Sequence, residues 1–417
     1  MLAFKKIYRW VPSLYVMQGL PFGLVTIVSA ILYKTFNFSN TSITFYTSLL
    51  VLPWLFKPLF SPVLEGLASK RALVLLSQFL MAALFFLLAM SLQLKSFFGV
   101  SFIIFFLVAL ASSVHDLNSD GFYIVSLNNE AQAHFVGVRT IAYQIGKLIC
   151  QGGLVCLTGF LIVHFGARQA WQIAFILLGV LAFCIAIYHK KVLPRTAAIL
   201  GNNTAELSKA LSSFKQVLQA LSHLPNMASV IIFTLVYNIS ETQLIKVVPL
   251  FLLDKVEHGG LALSIEKVGM LFGLVGVLGV LMGVLLSGFI LAKIPLKKYL
   301  VPVTLFTMLT NLGYLVLSFL QMHSIFLIGL IIMCAQFGFG LSNGAYMLYL
   351  LNRFAKGNYP MSLYAIGTAL MGLSVTIAGA MSGYLQGILG YKVFFIWVML
   401  VHIGILWVSI YNSRKVL

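Results

Sequence analysis

Charged side chains inside long apolar segments are the residues of this chain most able to do chemistry. A charge at the centre of a bilayer costs at least about 2.5–3.5 kcal/mol unless it is paired or faces water. Because the chain has only 9 acids among its 417 residues, acids in such segments indicate a functional site. The acids and bases within or at the edges of these segments are Asp116, Asp120, Glu241, Lys57, Lys147 and Lys246.

Asp116 and Asp120 lie one helical turn apart, so they share one face of a helix. The titratable ring of His115 stands beside them, and this group could couple a proton or a ligand to a conformational change. Counting residues along the segment puts both aspartates near its cytoplasmic end, where an ion-pair lock or gate is the alternative interpretation. The bases that could close such a lock are Lys70, Arg71 and Arg139.

Lys147 and Glu241 fall near the middle of their segments and are the best candidates for lining a binding cavity. Glu241 and Lys246 are separated by about 140° around a helix, so they do not simply neutralise each other. Two interpretations of Glu241 stay open: contact with a ligand, and a structural pair with Lys147. Lys57 could attract an anionic ligand group or extend to the cytoplasmic interface.

Amide side chains add neutral polar groups to several apolar segments. For each of them, an interhelical hydrogen bond and ligand binding are both open interpretations. Their concentration in a few segments favours a shared cavity. They are Gln18, Gln144, Gln151, Gln336 and Asn343.

The composition is that of a polytopic membrane protein, with 61% hydrophobic residues, 9% charged residues and a mean hydropathy of +1.02. A hydrocarbon core of about 30 Å needs roughly 20 apolar residues per helix, and the chain offers about twelve such segments. The first is too long for the apolar part of a signal peptide and has no cleavage pattern after it. The predicted membrane helices are Val11–Tyr33, Ile43–Val63, Ala72–Gln93, Phe97–Leu117, Gly137–Val163, Gln169–Tyr188, Met227–Leu253, Val268–Ala292, Tyr299–Leu320, Ser324–Leu350, Met361–Ile388 and Val393–Tyr411.

The net charge of +18 is distributed unevenly between alternate loops. Of the basic residues in the termini, in the loops and at the ends of the membrane segments, 18 fall on the side of both termini and 6 on the other. The positive-inside rule then places both termini in the cytoplasm of a cell whose inner membrane holds the protein. The excess of basic over acidic residues is explained by the membrane topology, so no nucleic-acid partner is predicted.

The 4 cysteines have neither metal-ligand spacing nor a disulfide framework, and we predict no metal, cofactor or catalytic residue. The expected partners are a small-molecule solute, protons and the lipid bilayer, and no obligatory protein partner is inferred. The longest connection divides the chain into a predicted six-helix bundle over 1–188, a cytoplasmic loop over 189–225 and a second six-helix bundle over 226–417. Six-helix halves with a central site are a common plan of secondary transporters.

Short motifs in the first five helices carry a family resemblance, and two more extend it into the second half. They are Pro12-Ser13-Leu14-Tyr15, Gln18-Gly19-Leu20-Pro21, Pro53-Trp54, Lys57-Pro58, Ser61-Pro62, Ser113-Val114-His115-Asp116, Asp120-Gly121-Phe122-Tyr123, Gln336-Phe337-Gly338-Phe339-Gly340 and Ser382-Gly383-Tyr384-Leu385-Gln386. Together they resemble the AmpG-like branch of the major facilitator superfamily. That branch groups bacterial muropeptide permeases with relatives of acetyl-CoA transporters, and siderophore importers of similar size look close to it.

The resemblance implies twelve helices in two bundles, alternating access and proton-driven uptake. It also implies that Lys57, Asp116 and Asp120 occupy the charged positions of the family's second and fourth helices. The chain departs from the pattern in having Glu65 where the family has aspartate after Ser-Pro, and in lacking an aromatic residue after Lys70-Arg71.

The sequence therefore predicts an all-α membrane protein with the major facilitator fold that imports a medium-sized polar organic solute by proton coupling. Peptidoglycan-derived muropeptides are the first expected substrate, and a siderophore or its iron chelate is the alternative. A membrane receptor and a magnesium-dependent membrane enzyme are the alternatives from other classes; the enzyme would need a second acidic cluster. The predicted solute-binding residues are Gln18, Lys57, Lys147, Gln151, Glu241, Lys246, Gln336 and Asn343. The predicted proton-coupling or gating residues are His115, Asp116, Asp120, Glu241, Glu65, Lys70, Arg71 and Arg139.

Overall fold

The structure, a computed structural model, describes residues 6–57, 69–194, 219, 221, 225–355 and 360–416, and regular secondary structure within them is helical. Nine of the described helices are long and apolar enough to cross a membrane, and two of these are divided at a glycine. The first half contains α1 (Lys6–Thr35), α2 (Asn40–Leu49, followed by the short helix Leu52–Leu55), α3 (Lys70–Ser91), α4 (Phe97–Ser126), α5 (129–165) and α6 (167–192). The second half contains α7 (Met227–Leu253), α8 (Ile265–Leu291), α9 (Leu296–Leu320), α10 (Ile325–Phe354), α11 (360–389) and α12 (391–415).

Local sequence explains where many of these helices begin. The side chain at the N-cap accepts a hydrogen bond from the first helical turn in α2, α3, α5, α8 and α10, which satisfies a backbone donor that the helix leaves free. The capping residues are Ser39, Ser69, Asn128, Ser264 and Ser324.

Two glycines separate consecutive helices at the same place in each half. Gly166 divides α5 from α6 with φ of 77°, and Gly390 divides α11 from α12 with φ of 67°. Glycine adopts this left-handed region without the steric cost that a Cβ brings. The chain can therefore reverse there with almost no loop.

The predicted boundaries of α4 and α5 are wrong. The prediction ended the fourth helix at Leu117 and began the fifth at Gly137, whereas α4 continues to Ser126 and α5 begins at Asn129. Hydropathy fails here because the polar residues of these turns find partners inside the protein. Asp116 and Asp120 consequently lie within a continuous helix and not at its end.

Three helices contain a π-helical turn, which the sequence analysis did not anticipate. These turns are Leu24–Val28 in α1, Leu148–Leu154 in α5 and Gly269–Gly276 in α8. The α5 turn packs against the other two. A Cβ added to Gly23, directly before the α1 turn, would stand 3.3 Å from the Gln151 side chain of the α5 turn. Such wide turns often occur at functional sites.

The two halves meet most closely at one face of the membrane bundle. We call the face with both chain termini the terminal face and the other the opposite face. Near the opposite face, α2 packs on α11, α5 on α8, and the end of α1 on α7. A Cβ on Gly383 of α11 would lie 2.3 Å from the Asn40 carbonyl oxygen, so only glycine permits this approach. In this conformation the opposite face is closed.

Candidate functional site

Asp116 is held in an ion pair with Lys57 on the terminal side of the first half. Lys57 Nζ lies 2.8 Å from Asp116 Oδ2, and the Trp54 indole donates to the same oxygen at 3.0 Å. Gln18 of α1 lies beside this carboxylate. Asp116 is buried, and Lys57 is directed to it and not to the membrane interface.

Asp120 has a different cation. Arg139 Nη2 lies 2.6 Å from Asp120 Oδ1, and the Tyr15 hydroxyl donates to that oxygen at 2.8 Å. The guanidinium also lies 4.4 Å from the ring centres of Tyr15 and Tyr123, a cation–π arrangement. The two aspartates are thus neutralised separately and do not act as an unpaired like-charge couple in this conformation.

The other predicted lock cations are placed differently. Arg71 donates to the backbone oxygens of Leu193 and Lys190, at 3.2 and 2.7 Å, where the carbonyls at the end of α6 need donors. The Lys70 side chain packs against Gly121 of α4. Glu65 lies outside the described residues.

His115 belongs to a buried chain of hydrogen bonds that crosses four helices. The Gln78 amide nitrogen lies 2.9 Å from His115 Nε2, and its oxygen lies 3.0 Å from His189 Nδ1. The other nitrogen of His189 lies 2.8 Å from the Ser13 hydroxyl. An amide in this orientation donates to His115 Nε2 and accepts from His189 Nδ1, which fixes which nitrogen of each ring faces the amide with or without a proton. Sequence analysis missed Gln78 and His189.

Polar side chains of α5 form a row at mid-height that faces α1. Gln144, Lys147 and Gln151 make no hydrogen bond or ion pair within the described residues. The Lys147 ammonium lies 5.9 Å from the centre of the Phe22 ring, a cation–π arrangement. Lys147 and Glu241 do not form the ion pair that was one of the two interpretations of Glu241.

Glu241 instead faces the interior of the second half. The Asn311 amide of α9 donates to Glu241 Oε1 at 2.5 Å, and His402 Nε2 of α12 lies 3.3 Å from the same oxygen. His402 Nδ1 lies 3.2 Å from the Val398 carbonyl, which can only accept, so Nδ1 carries a proton. Glu241 lies midway along α7, as the residue count predicted.

The remaining predicted binding residues lie on two helices, α7 and α10. Lys246 of α7 donates to Thr47 Oγ1 of α2 at 3.1 Å, a bond between the two halves. Gln336 of α10 is buried against the α8 glycines, with its Cβ 3.3 Å from the place where a Cβ on Gly279 would lie. Asn343 of α10 is partly exposed.

The opposite face is closed by a polar cluster that sequence analysis missed. Lys34 of α1 lies 2.5 Å from Asp254 Oδ1, directly after α7. Asn40 donates to Asp254 at 3.0 Å and also approaches Gln386 and Tyr391, while the Tyr391 hydroxyl donates to Asp254 at 2.5 Å. We call these five residues the latch. Its signal was present in the sequence, because Asp254 is one of few acids and Lys34 one of few bases on that side.

The latch holds Asp254 ionised. Burial raises the pKa of its carboxyl, but hydrogen bonds from Lys34, Tyr391 and Asn40 and the Lys34 charge outweigh burial and lower it below the usual value. The backbone is fixed too, since the Asp254 carbonyl accepts from Ala262 N at 2.7 Å.

Comparison with known proteins decides the family. The model of the Major Facilitator Superfamily matches residues 13–383, most of the chain. The chain belongs to the major facilitator superfamily. The curated protein named "Putative transporter AmpG 1", from Rickettsia bellii, is 23% identical over 382 residues, covering 88% of this chain and 89% of the relative. The predicted AmpG-like resemblance is confirmed.

Solved structures of major facilitator transporters share the fold. The nucleoside transporter NupG matches with a TM-score of 0.72 at 14% identity, covering 97% of this chain and 98% of that one. The inward-open xylose transporter XylE from E. coli matches with a TM-score of 0.63 at 15% identity, covering 95% and 94%. These likenesses show the fold, and the predicted fold class is confirmed. As a member of the superfamily, the protein is a multi-pass membrane transporter and not an enzyme.

Proposed function

We propose that this transporter imports a medium-sized polar organic solute across the inner membrane by proton symport, with peptidoglycan-derived muropeptides as the first substrate. The likeness to the AmpG-named relative supports this choice of substrate. The charge asymmetry of the loops supports placing the terminal face, with both termini, in the cytoplasm. In this conformation the closed opposite face would then be the outer one.

The contact between Glu241 and His402 carries the proton-coupling part of the proposal. Because His402 Nδ1 donates to Val398, Nε2 and Glu241 Oε1 present lone pairs to each other at 3.3 Å. Asn311 Nδ2 lies 2.5 Å from that oxygen and 3.3 Å from that nitrogen, so its two N–H groups can bond to both when no proton lies between them. A proton taken up between Nε2 and Oε1 would join them directly by a charge-assisted hydrogen bond. The pair therefore offers a site for one proton at the middle of α7.

The coupling pair and the latch lie on one helix. α7 carries Glu241 at its middle, and Asp254 follows its end. The helix is interrupted at Tyr237 and Asn238, just before Glu241, and contains Pro249 just before Asp254. Such interruptions allow a helix to bend. Proton binding or release at Glu241 would then bias the position of the end of α7, and with it the latch.

Proteoliposomes with an imposed pH gradient test the proposal. Muropeptides should accumulate only with the inside alkaline, whereas accumulation of ferric siderophores would favour the alternative substrate. Glu241→Gln should abolish accumulation but keep exchange of labelled for unlabelled solute, because the carboxamide of glutamine does not take up or release a proton. The matched control is Glu257→Gln, an exposed acid beyond α7. Unchanged gradient-driven accumulation by the Glu241→Gln variant would contradict the coupling role.

Alanine variants address the predicted gating acids. Asp116→Ala, Asp120→Ala and Glu241→Ala should each abolish uptake while the protein stays in the membrane, since each removes an ion-pair or proton partner. Uptake at the wild-type rate by all three would remove the idea that these acids drive transport.

A further inference from the structure

The row of polar side chains on α5 is well placed to meet a ligand. Gln144, Lys147 and Gln151 are spaced by three and four residues and so occupy one helix face. Gln144 is 9% exposed and Gln151 is 5% exposed, while Lys147 is partly exposed. Within the described residues, none of the three has a hydrogen bond or an ion-pair partner, and Gln144 Oε1 is fully enclosed.

Buried polar groups are costly when they are left without partners. In native proteins nearly all of them bond to protein, to water or to a ligand. Other intramembrane lysines of this chain obey the rule, since Lys57 is paired with Asp116 and Lys246 donates to Thr47. Among the described residues the Lys147 ammonium has the Phe22 ring, 5.9 Å from its centre, but no hydrogen-bond acceptor or counter-ion, and we take that missing partner to be a ligand.

The row lies at mid-height of the membrane bundle, where the two halves meet. Gln151 belongs to the π-helical turn Leu148–Leu154, and its side chain faces Gly23 of α1. A Cβ on Gly273 of α8 would lie 2.0 Å from the Gln151 carbonyl oxygen, so the second half touches this turn directly. A ligand held here would contact a helix that packs on both α1 and α8.

We propose that this row binds a carboxylate of the solute, with Lys147 as the counter-ion and Gln144 and Gln151 bonding to an amide group next to it. An ammonium supplies three donors for a carboxylate, and each glutamine supplies one carbonyl acceptor and one NH₂ donor, which match an amide. The ligand class is therefore a peptide or N-acyl amino acid with a free carboxyl group. This inference rests on the proposed import of a polar organic solute and specifies its chemistry.

A pair of probes that differ only in charge tests the subsite. We would measure binding of a muropeptide tripeptide and of its terminal carboxamide to the purified full-length protein. Wild type should prefer the free acid, and Lys147→Met should weaken acid binding by about tenfold or more while leaving the amide nearly unchanged. The matched control is Lys95→Met, an exposed lysine between α3 and α4. An acid preference that persists in Lys147→Met would overturn the subsite.

Melting temperature of the ligand-free protein gives a second readout that needs no substrate. Lys147→Met should melt at the same or a higher temperature, because it removes a charge without a counter-ion and keeps the length of the side chain. A clear drop would mean that Lys147 has a structural partner, and the subsite would be wrong.

A third measurement separates the subsite from the muropeptide proposal. If wild type binds neither probe, muropeptide import fails, and succinate and succinamide then serve as small probes in the same melting experiment. Succinate should stabilise wild type but not Lys147→Met, and succinamide should stabilise neither. Failure of succinate to stabilise wild type, or equal stabilisation of both proteins, would overturn the carboxylate subsite as well.

Discussion

Lys34 and Asp254 form an ion pair of 2.5 Å that joins the end of α1 to the end of α7. Their side chains are only 16% and 11% exposed, and Asn40 and Tyr391 bind the same carboxylate. The pair therefore connects the two halves at the face where they are closed, and its strength should help to set how often that face opens.

Removing the Asp254 charge should open the opposite face. In Asp254→Asn, Lys34 loses its counter-ion, and for a partly exposed pair we expect a shift of about 1–2 kcal/mol, or roughly five- to thirtyfold in the population. The measurement is maleimide labelling of Ser48→Cys, a buried position on α2, in a protein lacking its native cysteines. Labelling should speed up accordingly in Asp254→Asn but not in the Glu257→Gln control, and a Lys34→Asp/Asp254→Lys exchange should slow it again. Equal rates in all variants would contradict the latch.

The latch should be insensitive to pH in the physiological range. The pKa of Asp254 is lowered in the latched state. Ionised Asp254 therefore stabilises the latch fully at any pH above the ordinary aspartate pKa of about 3.9. This stabilisation is lost only as the pH falls through the pKa of Asp254 in the latched state, which is lower still. With Glu241→Gln as the background, so that the coupling carboxylate does not titrate, labelling of Ser48→Cys, normalised to an exposed Glu257→Cys, should be constant from about pH 5 to pH 8. A rise on going from neutral to pH 5 would make Asp254, and not Glu241, the coupling carboxylate.

Substitutions of Lys57 and Asp116 should have non-additive effects on the free energy of unfolding. Asp116→Asn leaves a largely buried ammonium without its counter-ion, which costs about 3–5 kcal/mol in fully buried pairs. Adding Lys57→Met should restore part of this loss, giving a coupling energy of about 0.5–3 kcal/mol in a double-mutant cycle. Unfolding midpoints of the four proteins provide the test. Strict additivity would mean that the two residues do not interact.

Gln78→Leu should destabilise the first half strongly. The change leaves His189 Nδ1 buried without a partner, which costs about 1–3 kcal/mol, and leaves His115 Nε2 only its longer contact of 3.3 Å with the Ser119 hydroxyl. We expect the free energy of unfolding to fall by about 1–3 kcal/mol. The control is Gln93→Leu, an exposed glutamine whose side chain bonds to the exposed end of the first half at Gln172 and should change stability by less than about 0.5 kcal/mol. Similar losses in both variants would contradict the bridging role of Gln78.

Hydropathy predicts the lengths of membrane helices well because whether a segment can lie in the lipid depends mainly on the composition of that segment. It failed where polar residues extend a helix inside the protein, as between Leu117 and Ser126. The latch was missed for a related reason. Lys34 and Asp254 are far apart in sequence, and each resembles an ordinary loop charge until the halves are packed.

The sequence by itself determined the membrane class, the transporter family and which positions carry costly polar groups, since these follow from composition, periodicity and short motifs. Only the tertiary structure decided the partners. It paired Asp116 with Lys57 and Asp120 with Arg139, placed Glu241 beside His402, and left Lys147 without a counter-ion among the described residues. The physical reason is that a partner depends on how each helix is rotated and packed against the others, and hydropathy along one helix does not encode that rotation.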